Sequence, residues 1–147
     1  MSFQRPRVLV VDDDHDCRLL LSTVAARAGF DVDAVADGEM ALLTIRARPP
    51  DLVLLDACLP QRDGFDICRT IKDTPATKHT PVVILTAFST PDARERSLAA
   101  GADEFVAKPF RNEAILDIIT QLMRIRDAAH QLDPGETAVV AGLKSPR

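Results

Sequence analysis

The sequence predicts an α/β fold: one doubly wound, five-stranded parallel sheet with helices on both faces. Strand-like and helix-like segments alternate along the chain, joined by short connections. Several strand-like runs are apolar from end to end, as strands buried on both faces are. A third observation says where such a fold would act. In open parallel sheets ligands bind in the crevice outside the carboxyl ends of the strands, and here those ends carry reactive groups. Val8-Leu-Val-Val11 runs into Asp12-Asp13-Asp14, and Asp51-Leu-Val-Leu-Leu-Asp56 ends in a carboxylate. Pro81-Val-Val-Ile-Leu-Thr86 ends in a hydroxyl, and Glu104-Phe-Val-Ala107 leads into Lys108-Pro109.

Each element has its own signal. Arg7–Val11 reads as the first strand. A helix over 16–28 follows, with Cys17, Leu20, Leu21, Val24, Ala25 and Ala28 on one face and Gly29 as its stop. Residues 30–36 alternate apolar and polar, the pattern of a strand near an edge. Asp37 caps a helix to Ala47 whose inward residues are read as Met40, Leu43 and Ala47, and Pro49-Pro50 ends that segment. The strand ending at Asp56 is continuously apolar and therefore central. Leu59-Pro-Gln-Arg-Asp-Gly64 is a loop, with Asp63-Gly64 a turn and helix cap, and a helix covers 65–72. Residues 73–80 are loop-like. Thr90-Pro91 reads as an N-cap followed by proline at the first helical position, opening a helix to Ala100 that Gly101 stops. The last helix spans 112–128. Residues 1–129 form one domain, and 130–147, with Pro134, Gly135, Gly142 and Pro146, read as a tail or the start of a linker.

The chain has 147 residues, 46% apolar and 27% charged, enough for one domain with a sizeable core. A net charge of −4 argues against direct nucleic-acid binding by this domain. No apolar stretch approaches a membrane span, and the N-terminus lacks the apolar core of a signal peptide, so a cytoplasmic location is expected. Cys17, Cys58 and Cys68 form no metal-type pair and leave an odd count, as reduced thiols do. Cys58, two residues beyond Asp56, is the one placed to line a site.

If the strands are parallel neighbours, their tips bring carboxylates, a hydroxyl and an ammonium to one edge of the sheet. Oxygen ligands of this kind suit Mg2+, with Mn2+ as its substitute. Asp13 and Asp56 can each supply a ligand, Asp12 can act directly or through water, and the Cys58 carbonyl is available. An ionised Asp56 is a competent nucleophile toward phosphorus. Lys108 and the Thr86 hydroxyl can take up charge on the transferred group.

The chain closely resembles the receiver domain of two-component response regulators over about residues 7–125. The resemblance rests on Val10-Val-Asp-Asp-Asp14, Asp51-Leu-Val-Leu-Leu-Asp56, Leu59-Pro-Gln-Arg-Asp-Gly64, Leu85-Thr86-Ala87, Gly101-Ala-Asp-Glu-Phe105 and Lys108-Pro-Phe110, in this order. It implies a (βα)5 flavodoxin-like fold with strand order 2-1-3-4-5. Asp56 would be the phospho-acceptor, Asp12 and Asp13 the acidic metal-binding pair, and Cys58 a carbonyl ligand. Thr86 would be the switch hydroxyl, Lys108 the phosphate-pairing lysine, Phe105 the switch aromatic, and the bond before Pro109 cis. The implied donor is a sensor histidine kinase or a histidine phosphotransfer protein. The implied output is a homodimer or effector contact through the last two helices and last strand. Cys58 and Phe88 stand where the family tunes phosphate lifetime, and neither positions water strongly. Ile118 stands where winged-helix regulators usually carry an arginine for a salt-bridged dimer.

Other residues have plainer readings. Asp14 is a turn residue or helix cap, His15 a solvated helix start, and His79 and His130 loop or tail residues. On the last helix Ile115, Ile119 and Leu122 are read as facing the sheet, with Ile118 and Ile125 on a more outward stripe. Two alternatives stand beside the receiver: an aspartate-nucleophile phosphatase, and a phosphorylation-independent binding module. The phosphatase is disfavoured because such enzymes carry nucleophile and acid/base Asp two apart on the first strand. The binding module is disfavoured by the intact set of Asp12, Asp13, Thr86 and Lys108.

Overall fold

The structure is a computed structural model, and it describes residues 5–87 and 90–131. Five strands and five helices alternate: β1 (Arg7–Val11), α1 (His15–Arg27), β2 (Asp31–Val35), α2 (Gly38–Ala47), β3 (Leu52–Asp56), α3 (Gly64–Asp73), β4 (Val82–Thr86), α4 (Pro91–Ala99), β5 (Glu104–Ala107) and α5 (Asn112–Gln131). All neighbouring strands are parallel, and their order is β2-β1-β3-β4-β5. Every helix boundary expected from a cap signal is close to place. Asp14, Asp37, Asp63 and Thr90 each accept a backbone N–H from the first turn of the helix they precede. Gly29 and Gly101, the expected stops, both lie at positive φ.

The pleat of the sheet divides the core in two. Leu9, Val11, Val53, Leu55, Val82 and Ile84 pack beneath α2 and α3. Val8, Val10, Leu52, Leu54, Val83, Leu85 and Val106 pack on the other face beneath α1 and α5. β3 and β4 are buried along their length and β1 from Val8 on, as continuous apolar runs require, whereas β2 at the edge is partly exposed.

Three helix faces differ from the sequence reading. On α2 the buried residues are Gly38, Ala41, Leu42 and Ile45, while Met40, Leu43 and Ala47 face solvent. The segment Met40-Ala-Leu-Leu43 is apolar around more than half the helix, so periodicity leaves its phase open. On α1, Leu21 and Ala25 are buried and Cys17 and Val24 pack beside them, but Leu20 and Ala28 are exposed. On α5, Ile115 and Ile119 are buried as expected and Met123 joins them, with Leu122 at the margin. Ile118, expected on the outward stripe, is half-buried against the core, while Ile125 is exposed. The helix also runs three residues past its expected end at Ala128, so the first two residues of the expected tail are helical. The remainder of that tail, and Phe88, lie outside the described residues.

Ion pairs close the amino-terminal edge of the sheet. Asp51 accepts the backbone N–H of Arg7 at 2.7 Å and pairs with Arg126 of α5. Across β4, Asp103 accepts both Val82 N–H at 2.8 Å and the Lys72 ammonium at 2.7 Å.

Candidate functional site

Strand register alone assembles the site. Val11 pairs with Leu55, which brings the next residues, Asp12 and Asp56, side by side. Asp56 pairs with Leu85, so Thr86 follows one step beyond, and Thr86 pairs with Ala107, which places Lys108 next. The pleat sorts these residues further. Val10, Leu54 and Val106 share the α1/α5 face, and two residues on from each come Asp12, Asp56 and Lys108. Ile84 and Phe105 belong to the opposite face, and Thr86 follows Ile84 by two.

The predicted carboxylates do meet. Oxygens of Asp12, Asp13 and Asp56 lie within 4.8 Å of one another. Asp12 is fully buried and Asp56 nearly so, whereas Asp13 is exposed. Lys108 Nζ donates to Asp12 Oδ2 at 2.8 Å and lies 3.6 Å from Asp56 Oδ2. Asp12 Oδ1 accepts the N–H of Asp14 at 2.9 Å, and Asp56 Oδ1 accepts the N–H of Cys58 at 3.1 Å. Thr86 is buried, and its carbonyl accepts the Lys108 N–H at 2.8 Å. The Lys108–Pro109 bond is cis. Phe105 is half-buried, with the Arg94 guanidinium 5.6 Å from its ring centre.

Electrostatics follow from this crowding. Burial pushes the Asp56 carboxyl up to about 6; the Cys58 N–H and Lys108 oppose the rise, and Asp12 and Asp13 add to it. Burial works against the Lys108 ammonium, but the hydrogen bond to Asp12 and the charge of Asp56 outweigh it and hold its pKa above the usual lysine range. Burial, then contact with Asp12, pushes the Cys17 thiol up to about 12.

Three residues serve the site in ways the sequence does not assign. Arg18 Nη1 donates to the Asp12 carbonyl at 2.8 Å, bracing the turn that carries the acidic pair. A basic residue in a helix's first turns runs against the helix dipole, and that misfit was the available signal. Cys17, assigned only to the helix face, also lines a cleft of about 240 Å³ with Asp16, Leu20, Lys108, Pro109 and Phe110. Gly64 was read as a turn, yet a Cβ there would lie 2.2 Å from the Asp56 carbonyl oxygen and 2.8 Å from Ala57 Cα. Only glycine lets α3 begin against the backbone of the Asp56 strand, where Gly64 N–H donates to Ala57 O at 2.9 Å. Cys58 is exposed just beyond Asp56, Cys17 is half-buried and Cys68 is buried.

Fold and site together define a class, the doubly wound α/β domains with an acidic cluster at the carboxyl edge of the sheet. The profile of the response regulator receiver domain matches residues 8–120. The chain is 38% identical over 141 residues to the DNA-binding response regulator MtrA of Mycolicibacterium smegmatis, covering 95% of this chain and 60% of that protein. It is 34% identical over 119 residues to the phosphate regulon transcriptional regulatory protein PhoB of Rhizobium meliloti, covering 81% and 52%. Among solved structures, a putative response regulator from Chloroflexus aurantiacus superposes with a TM-score of 0.79 at 32% identity, covering 82% of this chain and 99% of that one. The BeF3-activated DrrB receiver domain gives 0.75 at 31%, with 82% and 99% covered. The chain belongs to the response regulator receiver family, the phosphorylation-accepting signalling switches of two-component systems. It spans 52–60% of the length of the two curated relatives. Among the described residues no helix is long and apolar enough to cross a membrane.

Proposed function

We propose that this receiver takes a phosphoryl group onto Asp56 and passes the event on as a change of shape. The carrying observation is the convergence of Asp12, Asp13 and Asp56 oxygens within 4.8 Å, beside the Lys108 ammonium. An all-oxygen donor set that mixes buried and exposed carboxylates fits a hard divalent cation, Mg2+ or Mn2+. Asp13, Asp56 and the Cys58 carbonyl would hold it, with Asp12 contributing directly or through water while engaged by Lys108. When bound, the ion offsets the repulsion among the carboxylates and draws charge from the phosphoryl oxygens.

The remaining steps belong to the protein's own residues. An Asp56 carboxylate oxygen attacks phosphorus, the bond from phosphorus to the donor atom breaks, and the donor leaves with that electron pair. The donor is a sensor histidine kinase or a histidine phosphotransfer protein, for which the cleft beside Lys108 and Pro109 offers a seat. Lys108 then pairs with a phosphoryl oxygen, and the Thr86 hydroxyl bonds another. Phe105, on the same pleat face as Thr86, changes position with it; an open groove lined by Thr90, Pro91, Arg94 and Ala107 flanks its ring. Autophosphorylation from small acyl phosphates and self-dephosphorylation belong to the same reading, with Cys58 beside the acceptor shaping the lifetime.

The signal leaves through the face of α4, β5 and α5, toward a second copy or an effector. Exposed Leu98 and Ile125 favour an apolar contact there, a role that half-buried Ile118 is less suited to. The relative MtrA is DNA-binding by name, and an effector of that kind is the proposed recipient, the receiver itself making no nucleic-acid contact. The receiver extends through α5, and the location is cytoplasmic. Acetyl phosphate with Mg2+ should add one phosphoryl group, read by intact mass and mapped to Asp56. Full labelling of Asp56→Asn at the parent's rate would overturn the assignment.

A further inference from the structure

α4 is held to the body of the protein by little. Its buried residues are Ala93 and Ser97, with Ala100 at its end, and the Ser97 hydroxyl turns back to the Ala93 carbonyl of its own helix. Small side chains bury little area, so this helix is anchored more weakly than α3, which buries Phe65, Ile67, Cys68 and Ile71. One long side chain reaches away from it. Arg96 Nη2 donates to Asp63 Oδ2 at 2.7 Å, and the guanidinium carbon lies 4.3 Å above the centre of the Phe65 ring. Both targets are fixed. Asp63 Oδ1 caps α3 through the Phe65 N–H at 2.8 Å, Phe65 is buried, and Gly64 between them is packed against the backbone of Asp56 and Ala57. Arg96 thus ties the loosely seated helix that follows Thr86 to the rigid loop that follows Asp56.

We propose that the Arg96–Asp63–Phe65 contact is a latch that holds α4 in the resting position and sets how readily the receiver switches. The inference rests on the receiver reading above, in which the Thr86 hydroxyl bonds the group on Asp56 and Phe105, which shares a groove with Pro91 and Arg94 of α4, changes position with it. The latch is half-exposed, so its strength is that of a surface ion pair reinforced by one cation–aromatic contact. Breaking it should therefore shift the resting equilibrium about fivefold toward the switched form, a bias rather than a lock. Arg96 is a positioning residue: it reaches neither the carboxylate cluster nor Lys108.

The test uses the full chain, 15N-labelled, titrated with beryllofluoride in excess Mg2+ while amide signals of α4 and β5 are followed. Arg96→Ala should start with those signals displaced along the line toward the activated positions, and its titration midpoint should fall about fivefold. Asp63→Asn, which keeps the helix cap and removes the charge, should give a smaller shift of the same sign. The double variant should add little to Arg96→Ala. Arg96→Lys, retaining charge without the planar stack, should lie between parent and Arg96→Ala. A parent that responds while the variants respond identically to it overturns the latch alone, as do fully additive effects of the two substitutions. A parent that does not respond overturns the switch reading and the latch together.

Discussion

Raising the pH of the metal-free protein should destabilise it through Asp56. The folded state holds this carboxyl at about 6 against an ordinary 3.8, because burial in the sheet edge disfavours its charge and Asp12 and Asp13 add repulsion. A carboxyl that binds its proton more tightly when folded stabilises the fold while protonated. That contribution is complete below about pH 4, declines as pH rises through about 6, and is gone above it. The difference between 3.8 and about 6 corresponds to about 3 kcal/mol. Asp56→Asn supplies the reference, since its amide stays neutral and groups distant from the site titrate alike in both proteins. Urea unfolding with chelator present, from pH 4 to 7.5, should show the parent losing about 3 kcal/mol relative to the variant. At pH 7.5, Mg2+ should restore more stability to the parent than to the variant. Parallel stability curves for the two proteins across the range would refute the reasoning.

Gly64→Ala should lower stability by about 2–3 kcal/mol and slow labelling by up to roughly a hundredfold, because relieving a 2.2 Å approach to the Asp56 carbonyl displaces the acceptor strand or α3. Urea unfolding and acetyl phosphate kinetics check it, and a variant as stable and as fast as the parent contradicts it. Lys108→Ala should keep Mg2+ affinity but lose the beryllofluoride-induced shifts of β4 and α4 amides; loss of metal binding instead would move Lys108 into the ligand set. Met123→Ala, at a buried position, should cost about 2–4 kcal/mol in thermal or urea unfolding, whereas Ile125→Ala, half exposed, should cost under about 1. Equal costs would mean that the face of α5 is misassigned.

The acidic site was legible because its logic is one-dimensional. Each reactive residue stands at the end of an apolar run, and parallel pairing turns run ends into neighbours, so Asp12, Asp56, Thr86 and Lys108 could be grouped without coordinates. Caps were legible for the same local reason: Asp14, Asp37, Asp63 and Thr90 bond within three residues. Helix phase was not. Met40, Ala41, Leu42 and Leu43 satisfy either face of α2, and only the position of α3 and the sheet decides between them. On α5 the row through Ile115 and Ile119 continues to Met123, with Leu122 partly buried beside it, and helical spacing fits either residue. Contacts that bridge distant segments left no local trace. Arg96 meets Asp63 across 33 residues, and Gly64 is required by a strand eight positions earlier whose path is tertiary.

The pleat that sends Asp12, Asp56 and Lys108 to one side of the sheet and Thr86 and Phe105 to the other has a consequence for variation. A single mutation seldom touches both sides, so how fast the switch is set and what it says when set can drift independently. Changes near α1 and the Lys108–Phe110 turn should retune donors and timing while listeners stay the same. Changes near α4 and Phe105 that leave the contact of Arg96 with Asp63 and Phe65 intact should recruit new listeners at an unaltered rhythm. A selection that scores labelling rate and partner capture separately should therefore sort its hits by sheet face, and residues such as Gly64, lodged between the two, should appear in both columns.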